Sequence, residues 1–196
     1  MARANLSRTS VVAAAADLSD RDGYDAISVS ALARHFGVQP ASLYSHVRDR
    51  AAVLGGVHEL ALAELADRIA EETAGRSGRD ALAGFAAAHR DYAREHPGRW
   101  TALQRPAASE TVASDAARRV VSLTWAVLRA YALADDELVH ATRFVGAAIN
   151  GFLTLERSSN FDHRPTAVEL SWERTVDALD RALRSWPGAD DNKEQS

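Results

Sequence analysis

The sequence predicts an all-α protein, with an N-terminal three-helix helix-turn-helix domain followed by a C-terminal helical bundle. Two observations carry that reading. Apolar residues recur three and four positions apart in almost every segment, without strand-like alternation, and glycine or proline separates one such segment from the next. Residues 28–50, SVSALARHFGVQPASLYSHVRDR, go further and specify two short helices meeting through a tight turn.

The first helix is expected over 7–21, with Val11, Ala15 and Leu18 inward, and Gly23 breaks it. Ser28 is placed to cap the second helix, whose Val29, Leu32, Ala33 and Phe36 follow the i, i+3, i+4, i+7 spacing of one buried face. Gly37 stands where the chain leaves that helix through a left-handed residue, which costs glycine no Cβ clash. Pro40 suits the first turn of a third helix beginning at about Gln39, because the N–H it lacks has no helical partner there. Leu43 and Val47, one turn apart, pack back on the second helix and leave Gln39, Ala41, Ser42, Ser45 and His46 outward. A long helix follows over 50–73, then a GRSGRD loop at 75–80 and a helix over 80–95 that Pro97 stops. A short helix from Trp100 to Arg105, a break at Pro106, and helices over 110–133, 135–157 and 167–186 complete the pattern. PGADDNKEQS at the end of the chain reads as a disordered polar tail. The expected divisions are a helix-turn-helix head at 1–50, a helical domain at 51–187, and the tail at 188–196.

A recognition surface of small polar side chains suits DNA, since bulky apolar groups waste contact with base edges and acids repel phosphate. The net charge of −4 divides unevenly, with six arginines against five acids in residues 1–50. Phosphate attraction therefore rests on a few placed groups, Arg3, Arg8, Arg48 and Arg50, rather than on a broad basic patch. The absence of cysteine excludes disulfides, thiol catalysis and cysteine-based zinc sites. The seven histidines show no HExxH or i, i+4 pairing, so no metal is expected. No P-loop, dinucleotide-binding glycine turn or nucleophile elbow is present, so no catalytic residue, cofactor or enzyme activity is expected. VVAAAA at 11–16 is interrupted by Asp17, and no run approaches the ~18 apolar residues of a membrane span, so a cytoplasmic protein without a membrane partner is expected.

LYSHVRDR closely resembles the signature of the tetracycline-repressor (TetR) family, in which the recognition helix ends in Leu-Tyr-x-His-Val or Phe, followed by a basic residue at the head of the next helix. More loosely, HPGRW at 96–100 and GAAINGFLTLE at 146–156 resemble the regulatory domain of a subgroup named after a Trp-x-x-x-His-Gly pattern, with Gly146 in place of its Trp and Asn150 in place of its His. The resemblance implies that Val29 and Ser30 approach the DNA backbone or a base edge, and that Gln39, Pro40, Ala41, Tyr44, Ser45 and His46 form the recognition surface. Tyr44, His46 and Arg50 would then hold phosphates, while Gln39, Ser45 and the Ala41 methyl read bases. It also implies a double-stranded operator with an inverted repeat, a repressor released by a small, mainly apolar effector, and a first helix whose Asp17, Asp20, Asp22 and Asp25 lie away from DNA.

Trp172, Val176, Leu179, Leu183 and Trp186 step by four, three, four and three residues, a heptad seam. The helix over 135–157 is apolar almost all round, through Phe144, Val145, Ala148, Ile149, Phe152 and Leu155. Two accounts fit. The seam packs inside a monomeric core, or it joins Ile149 and Phe152 in a twofold four-helix interface of a homodimer, which would set two recognition helices about 34–36 Å apart. Trp100, Leu103, Trp125, Leu128 and Phe144, with Gln104, Thr124, Arg143 and Asn150 as polar anchors, are either ordinary core or the lining of the effector pocket that the family resemblance implies. Alternative readings are a regulator controlled by a protein partner and a helical small-molecule-binding protein that has lost operator binding.

Overall fold

The computed structural model describes residues 6–187; Arg3 and the tail expected at 188–196 lie outside the described residues. Among these, ten α-helices and two 3-10 turns occur and no strand: α1 (Arg8–Asp22), α2 (Val29–Phe36), α3 (Pro40–Leu43), α4 (Arg50–Thr73), α5 (Gly78–Glu95), α6 (Pro97–Leu103), α7 (Ser109–Val112), α8 (Asp115–Leu128), α9 (Leu138–Arg157) and α10 (Val168–Arg184). The 3-10 turns are Tyr24–Ala26 and Arg129–Tyr131. The chain forms two compact units, one from residues up to Asp67 together with Tyr92–Val120, the other from Arg68–Asp91 and the chain beyond Val121. Helices α4, α5 and α8 each supply residues to both units.

In the first unit the local chemistry sets the helix ends. Ser7 caps α1 in a capping box, its Oγ accepting from the Ser10 N–H at 3.1 Å while the Ser10 Oγ accepts from the Ser7 N–H at 2.9 Å. Ser28 caps α2 by accepting from the Ala31 N–H at 3.1 Å. α2 ends in a Schellman motif: Gly37, at φ +66°, donates to the Arg34 carbonyl at 3.2 Å and Val38 to the Ala33 carbonyl at 3.0 Å. Val11, Ala15, Ile27, Leu32 and Leu43 are essentially fully buried and form the centre of this core, each large apolar side chain worth about 1.5–3 kcal/mol of burial.

The third helix is shorter than expected. It holds helical hydrogen bonding only through Leu43, after which the His46 and Val47 N–H groups both donate to the Leu43 carbonyl, at 2.9 and 3.0 Å, and close a tight turn. Ser45 contributes by donating its hydroxyl to the Ser42 carbonyl at 2.8 Å, a local bond that competes with helix propagation. The helix expected over 110–133 is likewise divided into α7, α8 and a 3-10 turn. Ser114 causes the first break, because its Oγ accepts from the Ala117 N–H at 3.2 Å and starts α8 afresh. α6 starts at Pro97 rather than Trp100, with the proline in its first turn.

In the second unit α9 packs on α10, and Val145, Ile149 and Leu153 of one and Trp172, Val176, Leu179 and Leu183 of the other are all buried within the single chain. α4 and α5 cross where Gly84 meets the Glu72 carbonyl so closely that a Cβ has no room.

Gly98 makes the corresponding approach in the first unit. A Cβ there would fall far inside van der Waals contact with the Ser19 carbonyl carbon and oxygen, so α6 can lie on α1 only through a glycine. Gly98→Ala is expected to cost about 3 kcal/mol or more, since backbone cannot yield as a flexible side chain does. Thermal unfolding monitored by circular dichroism checks this, and a midpoint within a degree of the parent would contradict the packing described.

Candidate nucleic-acid interface and effector cavity

Leu43 and Val47 are buried and anchor the turn, and around them the chain exposes Gln39, Pro40, Ala41, Ser42, Tyr44 and Ser45 with His46 half-buried. Tyr44 is 55% exposed, large for an aromatic residue that helps no core. Ser30 is exposed and Val29 half-buried at the start of α2. No acidic residue stands on the α3 surface between Gln39 and Val47.

The acid that follows, Asp49, serves the helix instead. Its Oδ1 accepts from the Ala52 N–H at 2.7 Å at the head of α4, and Arg48 Nε donates to its Oδ2 at 2.9 Å. The backbone bond first and Arg48 second hold this carboxyl below its ordinary range. Arg50, expected on a phosphate, has its Nε committed to the Ile27 carbonyl at 2.6 Å, so it ties the start of α4 to the segment before α2.

The acids of α1 have a role that the sequence reading did not give them. Asp20 Oδ1 accepts from the backbone N–H groups of Gly98 and Arg99, at 2.8 and 2.9 Å, and so caps the start of α6. Its Oδ2 lies 3.2 Å from His96 Nδ1 and 3.3 Å from Arg99 Nε. Arg99 also pairs with Asp17 and, at 3.4 Å, with Glu64 of α4. Tyr92, on the last turns of α5, donates its hydroxyl to Glu64 Oε2 at 2.7 Å; burial, and then that carboxylate, push the phenol well above its ordinary range. HPGRW could have pointed here, because a Pro-Gly pair opening a helix exposes amide donors that want an anion.

The first unit also holds a cleft of about 510 Å³ between α1, α4 and α8. Its rim charges include Asp115 and Arg119, paired with Arg118 and Asp67.

The second unit contains a cavity of about 120 Å³, lined by Phe85 and His89 of α5, Thr124 of α8, and Thr142, Val145, Gly146, Ile149 and Asn150 of α9. His89 Nδ1 lies 2.8 Å from the Phe85 carbonyl, which only accepts, so Nδ1 carries the proton and donates. Burial pushes the imidazolium down to about 4, leaving a neutral ring whose Nε2 bears a lone pair.

Of the pocket residues expected from sequence, only Thr124 and Asn150 line this cavity. Trp100, Leu103 and Gln104 belong to the first unit, Trp100 buried in its core and Gln104 exposed. In the second unit Leu128 is core, Trp125 is half-buried and Arg143 exposed, while Phe144 packs on the Trp186 ring at 5.5 Å. Phe85, His89, Thr142, Val145 and Gly146 were missed, although Thr142, Val145, Ile149 and Asn150 recur along one side of α9 at helical spacing.

The seam expected to meet a second subunit faces its own chain. Trp172, Val176, Leu179 and Leu183 are at most 8% exposed, and Ile149 is turned to the cavity. Phe152 lies 5.0 Å from both Trp172 and Phe161, and the buried Arg90 guanidinium sits 5.0 Å from the Trp172 ring with Nε donating to Glu156 Oε2 at 3.1 Å. What α9 exposes is a different apolar face, with Val139, Phe144 and Leu155 each about 40% open beside Ala147 and Gly151. By length and composition alone α9 is apolar enough to cross a bilayer, a test that the core helix of a globular protein also passes.

Comparison with known proteins matches both parts of the chain. The family described as bacterial regulatory proteins, tetR family, matches residues 11–57, and the tetracyclin repressor-like C-terminal domain matches 82–179. An HTH-type transcriptional regulator of Mycobacterium tuberculosis is 33% identical over 161 residues, which cover 81% of this chain and 74% of that protein. A solved structure of a Rhodococcus protein of unknown function superposes with a TM-score of 0.74 at 25% identity, covering 90% of this chain and 95% of the other. Streptomyces coelicolor ActR, solved in complex with (S)-DNPA, shares the fold with a TM-score of 0.72 at 18% identity, covering 94% of this chain and all of that one.

His89 gives the second unit an acid sensitivity with a defined sign. Its folded value of about 4 lies below the ordinary 6.5, so the stability it contributes is complete above pH 6.5 and is lost as pH falls from there through 4. The loss approaches ~1.4 kcal/mol per pH unit in that window. His89→Gln, which retains a donor, should flatten the fall in thermal midpoint between pH 7 and pH 5, and an unchanged slope would show that other groups set it.

Proposed function

The chain belongs to the tetracycline-repressor family of helix-turn-helix transcriptional regulators, and from that premise we propose that it is a homodimeric, operator-binding repressor that a small molecule releases. The observation that carries the reading is the exposed, acid-free surface of α3 held out on two buried anchors, Leu43 and Val47. Gln39, Ser45 and the Ala41 methyl read base edges, and Tyr44 and His46 donate to phosphates flanked by Val29 and Ser30. Arg50 acts chiefly as a positioning residue, since its Nε is held by Ile27. The head takes in residues 1–50, with 51–187 regulating it, and the protein acts in the cytoplasm where its DNA is.

Dimerisation uses the outer face of α9 rather than the heptad seam. Phe144, Ala147, Gly151 and Leu155 form an apolar stripe with small residues at its centre, which lets a twofold copy approach closely, and Leu170 at 47% exposure extends it onto α10. The effector enters the α5–α9 cavity of the second unit, beside Phe85 and His89. ActR, of the same fold, was solved with a bound small molecule, which supports this reading of the regulatory unit.

Gel-shift titration against inverted-repeat DNA from the flanks of its own gene tests the proposal. Retarded complex at low salt, weakening steeply as salt rises, is expected. No binding to any such fragment would favour the reading of a helical ligand-binding protein without an operator. Tyr44→Phe should lower affinity for all sequences alike, whereas Gln39→Ala should shift base preference by about 1–3 kcal/mol at the position it reads. A Tyr44 variant that altered base preference and kept total affinity would reverse that assignment.

Assembly is checked separately by light scattering. Phe144→Glu with Leu155→Glu should give a folded monomer, because both side chains are exposed in the single chain and charged residues would oppose one another across the twofold. Leu179→Glu should instead unfold the second unit, its carboxylate having no partner in a buried site. A double variant that remained dimeric would move the interface off this face.

A further inference from the structure

The cleft between α1, α4 and α8 lies wholly within the first unit and belongs neither to the recognition surface nor to the α5–α9 cavity. Space remains there because three helices turn small side chains to it at once, Ala13 of α1, Ala63 of α4 and Ala116 of α8. Val12 and Leu60 complete the apolar lining. α1 reaches α4 so closely at this point that a Cβ on Gly56 would stand 2.5 Å from the Val12 Cγ2. At about 510 Å³ the cleft has the size of an ordinary small-molecule site. A core cavity of roughly 150 Å³ holds benzene, so by the same ratio this volume takes about twenty non-hydrogen atoms, whereas the 120 Å³ cavity beside His89 has room for little more than a benzene ring.

Charge selects the kind of molecule. Arg8 and Arg119 stand on the lining against Glu59 and Asp115, so the two signs balance. Arg119 is already paired with Asp67, and Asp115 with Arg118. An ion entering the cleft would meet both signs, gain little net attraction and still lose hydration against Val12 and Leu60. A neutral apolar molecule gains by covering those side chains and suffers no such loss. Arg8, Gly56 and Glu59 also line a second cleft of about 370 Å³, which reaches His46 and Val47 of the recognition turn. An occupant is therefore seated beside the part of the chain that faces DNA.

We propose that the α1–α4–α8 cleft is a second ligand site, for an uncharged, mainly apolar molecule of about fifteen to twenty-five non-hydrogen atoms. The occupant touches α1 on one side and α4 and α8 on the other, so it binds while the three helices stand as they do here and stabilises that arrangement in proportion to its concentration. Its use as a control point on the head rests on the operator-binding reading above, whereas its binding does not. Leucine at Ala63 and Ala116 fills the space and keeps helix propensity close to that of alanine. Ala13 is exposed, so a change there leaves the core alone.

Two dyes with one skeleton test size and charge: N-phenyl-1-naphthylamine, which is neutral, and 8-anilino-1-naphthalenesulfonate, its anionic counterpart. Each is titrated into the full chain at neutral pH and followed by emission. The neutral dye should bind saturably with a blue-shifted emission, and the sulfonate about tenfold more weakly. Ala63→Leu with Ala116→Leu should lower the neutral dye's affinity about tenfold, and Ala13→Leu, which cannot disturb the core, should lower it in the same direction. Phe144→Glu with Leu155→Glu should leave it unchanged, which separates the cleft from the exposed face of α9. The chain has no cysteine, so Ala13→Cys places a single thiol on the cleft wall, and the neutral dye should slow its alkylation about tenfold. No binding of the neutral dye, equal binding of the sulfonate, affinity that survives both fillings, or a thiol that reacts as fast at saturation would each overturn the proposal. Operator affinity is measured in parallel. If the thiol is protected while the gel shift is unchanged, the control role fails and the ligand site stands; if no operator fragment binds at all, the operator reading fails and the site still stands on the dye measurements.

Discussion

Asp20 joins the helix-turn-helix to the rest of its unit, and the surrounding sequence is shaped by that joint. One carboxylate oxygen takes the two backbone N–H groups at the start of α6, and the other faces His96 and Arg99. Because the amides must come within 3 Å of an α1 side chain, the α6 backbone lies almost on the α1 backbone, which excludes any Cβ at position 98. Arg99 is then drawn into a triangle of Asp17, Asp20 and Glu64, and Glu64 in turn holds Tyr92 of α5. Charge-assisted bonds of this kind are worth roughly 1.5–3 kcal/mol each when partly buried. A rotation of α1 away from α6 would surrender several of these bonds at once, so α1 and α6 are held firmly in one relative position.

How much of this was legible depended on whether the determining interaction was local. Gly23, Ser28, Gly37 and Pro40 act within four residues of themselves, and the boundaries they predict are those observed to within a residue. The early end of α3 was not legible, although its cause is also short-range. Leu43 and Val47 are one turn apart in a helix and in the tighter turn that replaces it, so the spacing of anchors cannot tell the two apart. The Asp20 joint was invisible for another reason, since it links positions almost eighty residues apart and no periodicity encodes it. Asp17, Asp20, Asp22 and Asp25 carried no sequence signal beyond lying away from DNA.

The second unit shows the limit of heptad arguments. Trp172, Val176, Leu179 and Leu183 form a seam that any apolar stripe satisfies, and the α9 of the same chain satisfies it first because it is tethered nearby. Intramolecular packing has the advantage of effective concentration, so the apolar stripe that stays exposed is the less regular one. Phe144, Ala147, Gly151 and Leu155 lacked a clear signal because two of the four are small, and small residues score as neither core nor surface. The aromatic residues misled for a related reason. Trp100 and Trp125 are large enough to satisfy core and pocket descriptions equally, whereas the residues around the cavity are mostly modest in size, which is why space remains between them.

That modest space also bounds the energetics of control. A molecule of about six heavy atoms reaches at best about 1.5 kcal/mol per atom, near 9 kcal/mol in all, and ordinary ligands fall well short of that ceiling. Shifting an operator equilibrium requires a difference of only about 1–3 kcal/mol between the two states of the head. The cavity therefore need not bind tightly in absolute terms. On the proposed regulatory reading it needs only to prefer one position of the α5 segment around Phe85 and His89, whose ring is fixed to its own helix by the Nδ1 bond to the Phe85 carbonyl.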